Sequence, residues 1–205
     1  MKLRHHTTAM LCASWGLLMG AHAGSVQVAV QSPTGQPLGQ AVVFLESAQA
    51  RRQVKPLPAL EMAQDNKRFI PQVLVVPVGS EVAFPNRDTV RHHVYSFSAA
   101  KKFELKLYSG TPTAPVRFEQ PGVVALGCNI HDQMVGWIVV LDTPYYAQTA
   151  ADTGRVQIDQ VPAGNYRLRV WHPHLPVHTP VPDLPITVGT TDTVATTVQL
   201  KELAP

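Results

Sequence analysis

Cysteine is scarce in this chain: there are two in 205 residues, Cys12 and Cys128. Cys12 lies in an N-terminal segment with the marks of an export leader. Lys2 and Arg4 give a positive start, Thr7 to Gly20 is mostly apolar and uncharged, and Ala21-His22-Ala23 is a small-x-small cleavage site. The apolar stretch is shorter than the roughly 20 residues a spanning helix needs, so cleavage before Gly24 is expected rather than a membrane anchor. That leaves Cys128 as the only thiol of a chain bound for the periplasm, which excludes an internal disulfide framework. A lone thiol in an oxidising compartment needs protection, by burial or by a metal.

Charge is scarce as well. Asp, Glu, Lys and Arg together make up 15% of the chain, with a formal net charge of +3. Loss of Lys2 and Arg4 leaves 15 basic residues against 14 acidic ones. A balanced chain without a basic run lacks the electrostatic footprint of a nucleic-acid binder. Hydrophobic residues at 45% are enough for a globular core.

Helical periodicity is also missing beyond the leader, and an all-β fold is expected. Val26 to Val30 alternates apolar and polar residues, the period of a half-buried strand. Ala41 to Leu45, Val73 to Val78, Glu81 to Phe84, His92 to Ser98, Phe103 to Tyr108, Val116 to Glu119, Val123 to Gly127 and Gly136 to Leu141 read as further short strands. So do Arg155 to Ile158 and Tyr166 to Val170. Ile186 to Val188 and Val194 to Leu200 read as a closing hairpin turning at Gly189. Pro/Gly turn signals separate them, a pattern of sandwiches and barrels. Arg51 to Leu60, with two prolines, reads as a connection.

Among these strands sits Cys128-Asn129-Ile130-His131-Asp132-Gln133-Met134. Equal spacings of three on a compact turned loop aim a thiolate, an imidazole and a thioether at one centre. Two His, one Cys and a weak axial Met form the blue-copper ligand set. The second histidine is expected from His92-His93. Neighbouring strand residues point to opposite faces, so one of the two faces the site; His92 is chosen, with His93 as the alternative. Trp171-His172-Pro173-His174, with His178, is a second histidine group, read as a polar proline-rich loop rather than a metal site.

The segment from Met62 to Asp142 resembles the cupredoxins, the plastocyanin and amicyanin family. The resemblance rests on Val82-Ala83-Phe84-Pro85-Asn86-Arg87-Asp88, on His92-His93-Val94, and on Phe118, Pro121-Gly122, Cys128, His131, Met134 and Gly136. The Cys-x2-His-x2-Met spacing is similar to amicyanin's. Two positions depart from the family: Leu126 stands where an aromatic is common, and His93 where Asn is usual. The resemblance implies His92, Cys128 and His131 as strong copper ligands and Met134 as the axial one. As a whole the chain resembles periplasmic proteins of the methylamine-utilisation or plastocyanin-like type.

The flanking segments resemble a carboxypeptidase-regulatory or transthyretin-like β-sandwich. Its marks are Gly35-Gln36-Pro37-Leu38 and the run from Thr153-Gly154-Arg155 through Val161-Pro162-Ala163-Gly164-Asn165-Tyr166. The implied organisation is a leader (1–23), the first sandwich strands (24–50), a linker (51–61), an inserted cupredoxin-like domain (62–145) and the rest of the sandwich (146–205). The expected function is a one-electron carrier with one type 1 copper, and no enzyme is expected: six histidines remain after the leader, too few for an oxidase's extra copper sites. A monomer is expected, partnered by a c-type cytochrome or a periplasmic dehydrogenase. The alternative is a copper carrier or sensor, or a surface-interaction module, that shuttles no electrons. An exported preparation should begin at Gly24, which N-terminal sequencing or intact mass checks.

Overall fold

The computed structural model describes residues 23–112, 114–176 and 179–204. The leader with Cys12, and His178, lie outside the described residues. Among the described residues there are seventeen strands and a single four-residue helix, so the chain is nearly all β.

The N-terminal strands pair with C-terminal ones. β1 (Ala23–Gln31) lies between β14 (Arg155–Pro162), antiparallel, and β17 (Thr193–Gln199), parallel. Opposite them runs a second sheet in the order β13 (Tyr146–Gln148), β2 (Val42–Glu46), β15 (Gly164–Trp171), β16 (Asp183–Val188). Val26, Val28 and Val30 of β1 face Val43, Leu45, Leu168 and Val170 in one buried core. The expected closing hairpin does not form. After β16 the chain crosses to the other sheet, where β17 pairs with β1 and buries Val198 in the core.

Residues between β2 and β13 form sheets of their own. Five strands run in the order β6 (Val73–Pro77), β12 (Val135–Leu141), β11 (Gly122–Gly127), β8 (His92–Ser98), β9 (Lys101–Tyr108). A smaller sheet has β7 (Glu81–Ala83) between β10 (Val116–Arg117) and β3 (Leu60–Glu61). A hairpin, β4 (Ala63–Asp65) and β5 (Arg68–Ile70), completes the unit. Phe69, Phe84, Phe118, Leu126, Ile138, Cys128 and Met134 share its core.

The two ends of this segment meet. Leu45 N–H donates to Tyr145 O at 2.9 Å, and Thr143 Oγ1–H donates to Leu45 O at 2.6 Å. The helix α1 (Ala48–Arg51), capped by the Ser47 hydroxyl, carries Arg51 to Asp142 at 2.6 Å. The sequence reading made this stretch a plain connection. Its one helical turn is set by the Ser47 cap, which accepts from Ala50 N–H at 3.0 Å.

A third apolar cluster joins the two units. Val42 and Phe44 of β2 and Trp171 of β15 pack against Val73, Val139 and Leu141 of the five-stranded sheet. β2 is therefore buried on both faces, which explains why its sequence is a continuous apolar run rather than an alternating one. Trp137 and Trp171 lie 6.3 Å apart between ring centroids across this boundary. Trp171→Ala should cost about 3–5 kcal/mol, the range for emptying a buried aromatic site, read from the shift in the urea unfolding midpoint.

Candidate metal centre

β8 and β11 run antiparallel, with Gly127 opposite Tyr95. This pairing carries His92, at the start of β8, to the end of β11, where the chain leaves the sheet at Cys128. A side chain at Gly127 would collide with the Tyr95 ring, whose atoms approach to 2.9 Å of a Cβ built there. Glycine at this position lets the two strands close.

His92 is fully buried and Cys128 is 4% exposed. His92 Nδ1 lies 3.8 Å from Cys128 Sγ, and His131 Nδ1 lies 3.9 Å from it. The two imidazole rings are 5.0 Å apart, and the donor atoms of all three residues fall within 4.8 Å of one another. First-row ions bond nitrogen at about 2.0 Å and sulfur at about 2.3 Å; set roughly 120° apart, such bonds separate S from N by about 3.7 Å. The observed spacings match a trigonal His-Cys-His plane, so the residues fit a copper ion.

The loop itself is a tight turn. Met134 N–H donates to His131 O at 2.9 Å, returning the chain to β12. Met134 is buried in the same cluster as Cys128. His131 is partly exposed, and its chain neighbour Ile130 and Val135, where the loop rejoins the sheet, are exposed.

His93 points away from the centre. Its Nε2 lies 2.9 Å from Glu104 Oε1, and its ring is 5.4 Å from Tyr95. The β8–β9 ladder has a bulge between His92 and Val94, but the extra residue is on β9: His92 pairs with Tyr108 and Val94 with Leu105. β8 keeps its alternation, and the two histidines keep opposite faces.

Sequence reasoning missed Asp88. Its Oδ2 lies 2.6 Å from His92 Nε2, and its carboxylate accepts N–H bonds from Asn66 at 2.7 Å and Lys67 at 2.9 Å. Partial burial pushes its pKa up, but the Lys67 amide, His92 and the Asn66 amide outweigh this and hold it below the ordinary carboxylate value. Asn66 and Lys67 are the two central residues of the β4–β5 turn, with φ of 51° and 55°. Positive φ at both is the type I′ hairpin geometry. The sequence signal was weak because Lys stands where Gly usually follows Asn. Phe69 of the hairpin packs on Gly136, where a built Cβ would meet its ring atoms at 2.9–3.0 Å.

Beneath His92, the Tyr108 hydroxyl donates to Phe84 O at 2.6 Å and accepts from Gln64. Burial pushes the Tyr108 phenol up to about 12, so it stays protonated.

Comparisons with known proteins give partial likenesses. A family model described as polysaccharide lyase family 4, domain II, matches residues 123–196, about a third of the chain. That span begins in the five-stranded sheet and ends in β17, so it follows neither unit. No curated protein sequence matches the chain. A purple cupredoxin from Nitrosopumilus maritimus is 24% identical, with 40% of this chain and 100% of that one covered and a TM-score of 0.36. A reduced amicyanin variant is 20% identical, covering 48% and 98%, with a TM-score of 0.37. The copper-containing nitrite reductase of Thermus scotoductus SA-01 is 22% identical, covering 55% of this chain and 28% of that one, with a TM-score of 0.38. Among the described residues no helix is long and apolar enough to cross a membrane.

His172 is buried; its Nε2–H donates to Gly39 O at 3.1 Å, and its Nδ1 accepts from His174 N–H at 3.1 Å. Burial pushes its pKa down to about 4, against an ordinary 6.5. Between these values the unfolded chain holds the extra proton, so stability falls as pH falls from about 6.5 to about 4 and this contribution levels off below. Urea midpoints across that range should drop more steeply for the wild type than for His172→Gln.

Proposed function

We propose that this chain binds one copper ion as a type 1 centre, through His92, Cys128, His131 and Met134, and carries single electrons between redox partners in the periplasm. The observation that carries the reading is the convergence of two imidazole nitrogens on one buried thiol at 3.8 and 3.9 Å, together with the Cys-x2-His-x2-Met spacing.

When bound, the copper cycles between Cu(I) and Cu(II) and supplies the one-electron chemistry. The protein's part is to hold its ligands still. Cys128 and His92 are anchored at the ends of paired strands and excluded from water, and Met134 is packed among apolar side chains. Rigid placement keeps one ligand geometry acceptable to both oxidation states. A buried, occupied Cys128 also answers how a lone thiol survives in an oxidising compartment.

His131 is the ligand nearest solvent, and its edge is the route by which electrons enter and leave. Ile130, its exposed chain neighbour, and Val135, exposed where the loop rejoins the sheet, supply the apolar surface for docking. Such a patch suits a transient redox partner, a class whose interfaces are under about 1,200 Å². A c-type cytochrome or a periplasmic dehydrogenase fits that role, and the carrier acts as a monomer and not as an enzyme.

Loading the mature protein with Cu(II) should produce a strong thiolate-to-copper charge-transfer band. Cys128→Ala should abolish it and His92→Ala should greatly weaken it, while His93→Ala should keep it. A colourless copper-loaded wild type refutes the type 1 reading. Reversible voltammetry and electron exchange with a cytochrome c would then support a carrier; a coloured protein that exchanges no electrons would leave copper binding and refute the shuttle.

A further inference from the structure

Asp88 is built into the centre from two sides. One oxygen, Oδ2, meets His92 Nε2 at 2.6 Å and the Lys67 amide at 2.9 Å; the other, Oδ1, takes the Asn66 amide at 2.7 Å. Its own N–H donates to Asn86 Oδ1 at 3.0 Å. Asn86 in turn is fixed, its Nδ2 donating to Val90 O at 2.8 Å and to Tyr108 O at 2.9 Å. The hairpin that supplies the two amides is tied to the same loop: Gln64 N–H donates to Pro85 O and Arg87 N–H to Gln64 O, both at 2.8 Å. A carboxylate held this way has no freedom to swing off the imidazole.

The chemistry of the pair is one-directional. An ionised carboxylate only accepts hydrogen bonds, so His92 Nε2 carries a proton, and in the neutral ring Nδ1, the atom facing Cys128, is left with the lone pair. A metal-bound imidazole whose far N–H meets a carboxylate is a more basic, better oriented ligand. The negative charge behind it favours the more positive oxidation state of the ion.

We propose that Asp88 is the positioning residue of this centre: it fixes the His92 tautomer and lowers the reduction potential of copper bound there. This rests on the copper reading above. Without Asp88, the buried ring has no fixed acceptor for its proton, and the site loses its preference for the oxidised ion.

The test is Asp88→Asn, which keeps shape and removes charge. The charge-transfer band should persist, Cu(II) affinity should fall about 10–100-fold, and the potential should rise. If Cu(I) affinity is unchanged, the rise is about 59 mV per tenfold for a one-electron couple. An Asp88→Asn protein with a normal band and an unchanged potential overturns the proposal and reduces Asp88 to a tether for the hairpin. A second measurement does not depend on the variant folding: long-range ¹H–¹⁵N spectra of the metal-free wild type. Recorded at a pH where the ring is neutral, a protonated Nε2 and bare Nδ1 on His92 support the proposal; the opposite tautomer overturns it. A wild type that gives no band with copper refutes the copper reading and the effect on potential with it, while the tautomer is still decided by the metal-free spectra.

Discussion

The centre depends on one strand pairing. His92 and Cys128 are 36 residues apart, and only the antiparallel closure of β8 on β11 sets them side by side. That closure needs Gly127, because the Tyr95 ring occupies the space a side chain would take. Cys128, His131 and Met134 are local to one loop and find each other through a turn. The distant histidine is delivered by the sheet, and a register slip of one residue would present His93 in its place.

The same sheet has a second face, and the molecule's organisation follows from covering it. On that face Val73, Val139 and Leu141 are buried against Val42, Phe44 and Trp171 of the other unit. Insertion is compatible with this because the segment's ends meet at Leu45, Thr143 and Tyr145, so the host sheet closes as though uninterrupted. Where the loop of the centre rejoins the sheet the face stays open, with Val135 exposed.

Polar groups around the centre form a chain of fixed contacts. The β4–β5 turn offers two amides to Asp88, Asp88 faces His92, and Asn86 holds the loop that carries Asp88. Each acceptor is matched to a donor, which makes a charged group tolerable beside a buried imidazole. The strained turn, with positive φ at Asn66 and Lys67, is kept because it aims those amides.

Much was legible without the fold. Period-2 alternation located β1, β8 and β15, since one face of each is buried and the other is not. The spacing of Cys128, His131 and Met134 marked a candidate ligand loop because all three lie within one turn of chain. Strand alternation also separated His92 from His93, though alternation says only that they differ, not which one faces inward. The crossing of β17 to the opposite sheet and the place of Asp88 were not legible. These are relations between residues far apart in sequence, and Asp88 is an ordinary loop carboxylate until the hairpin and His92 close around it. The sequence by itself determined the ligand types, because chemistry resides in side chains. Only the tertiary structure decided which histidine they meet and what stands behind it, because those depend on how strands pair.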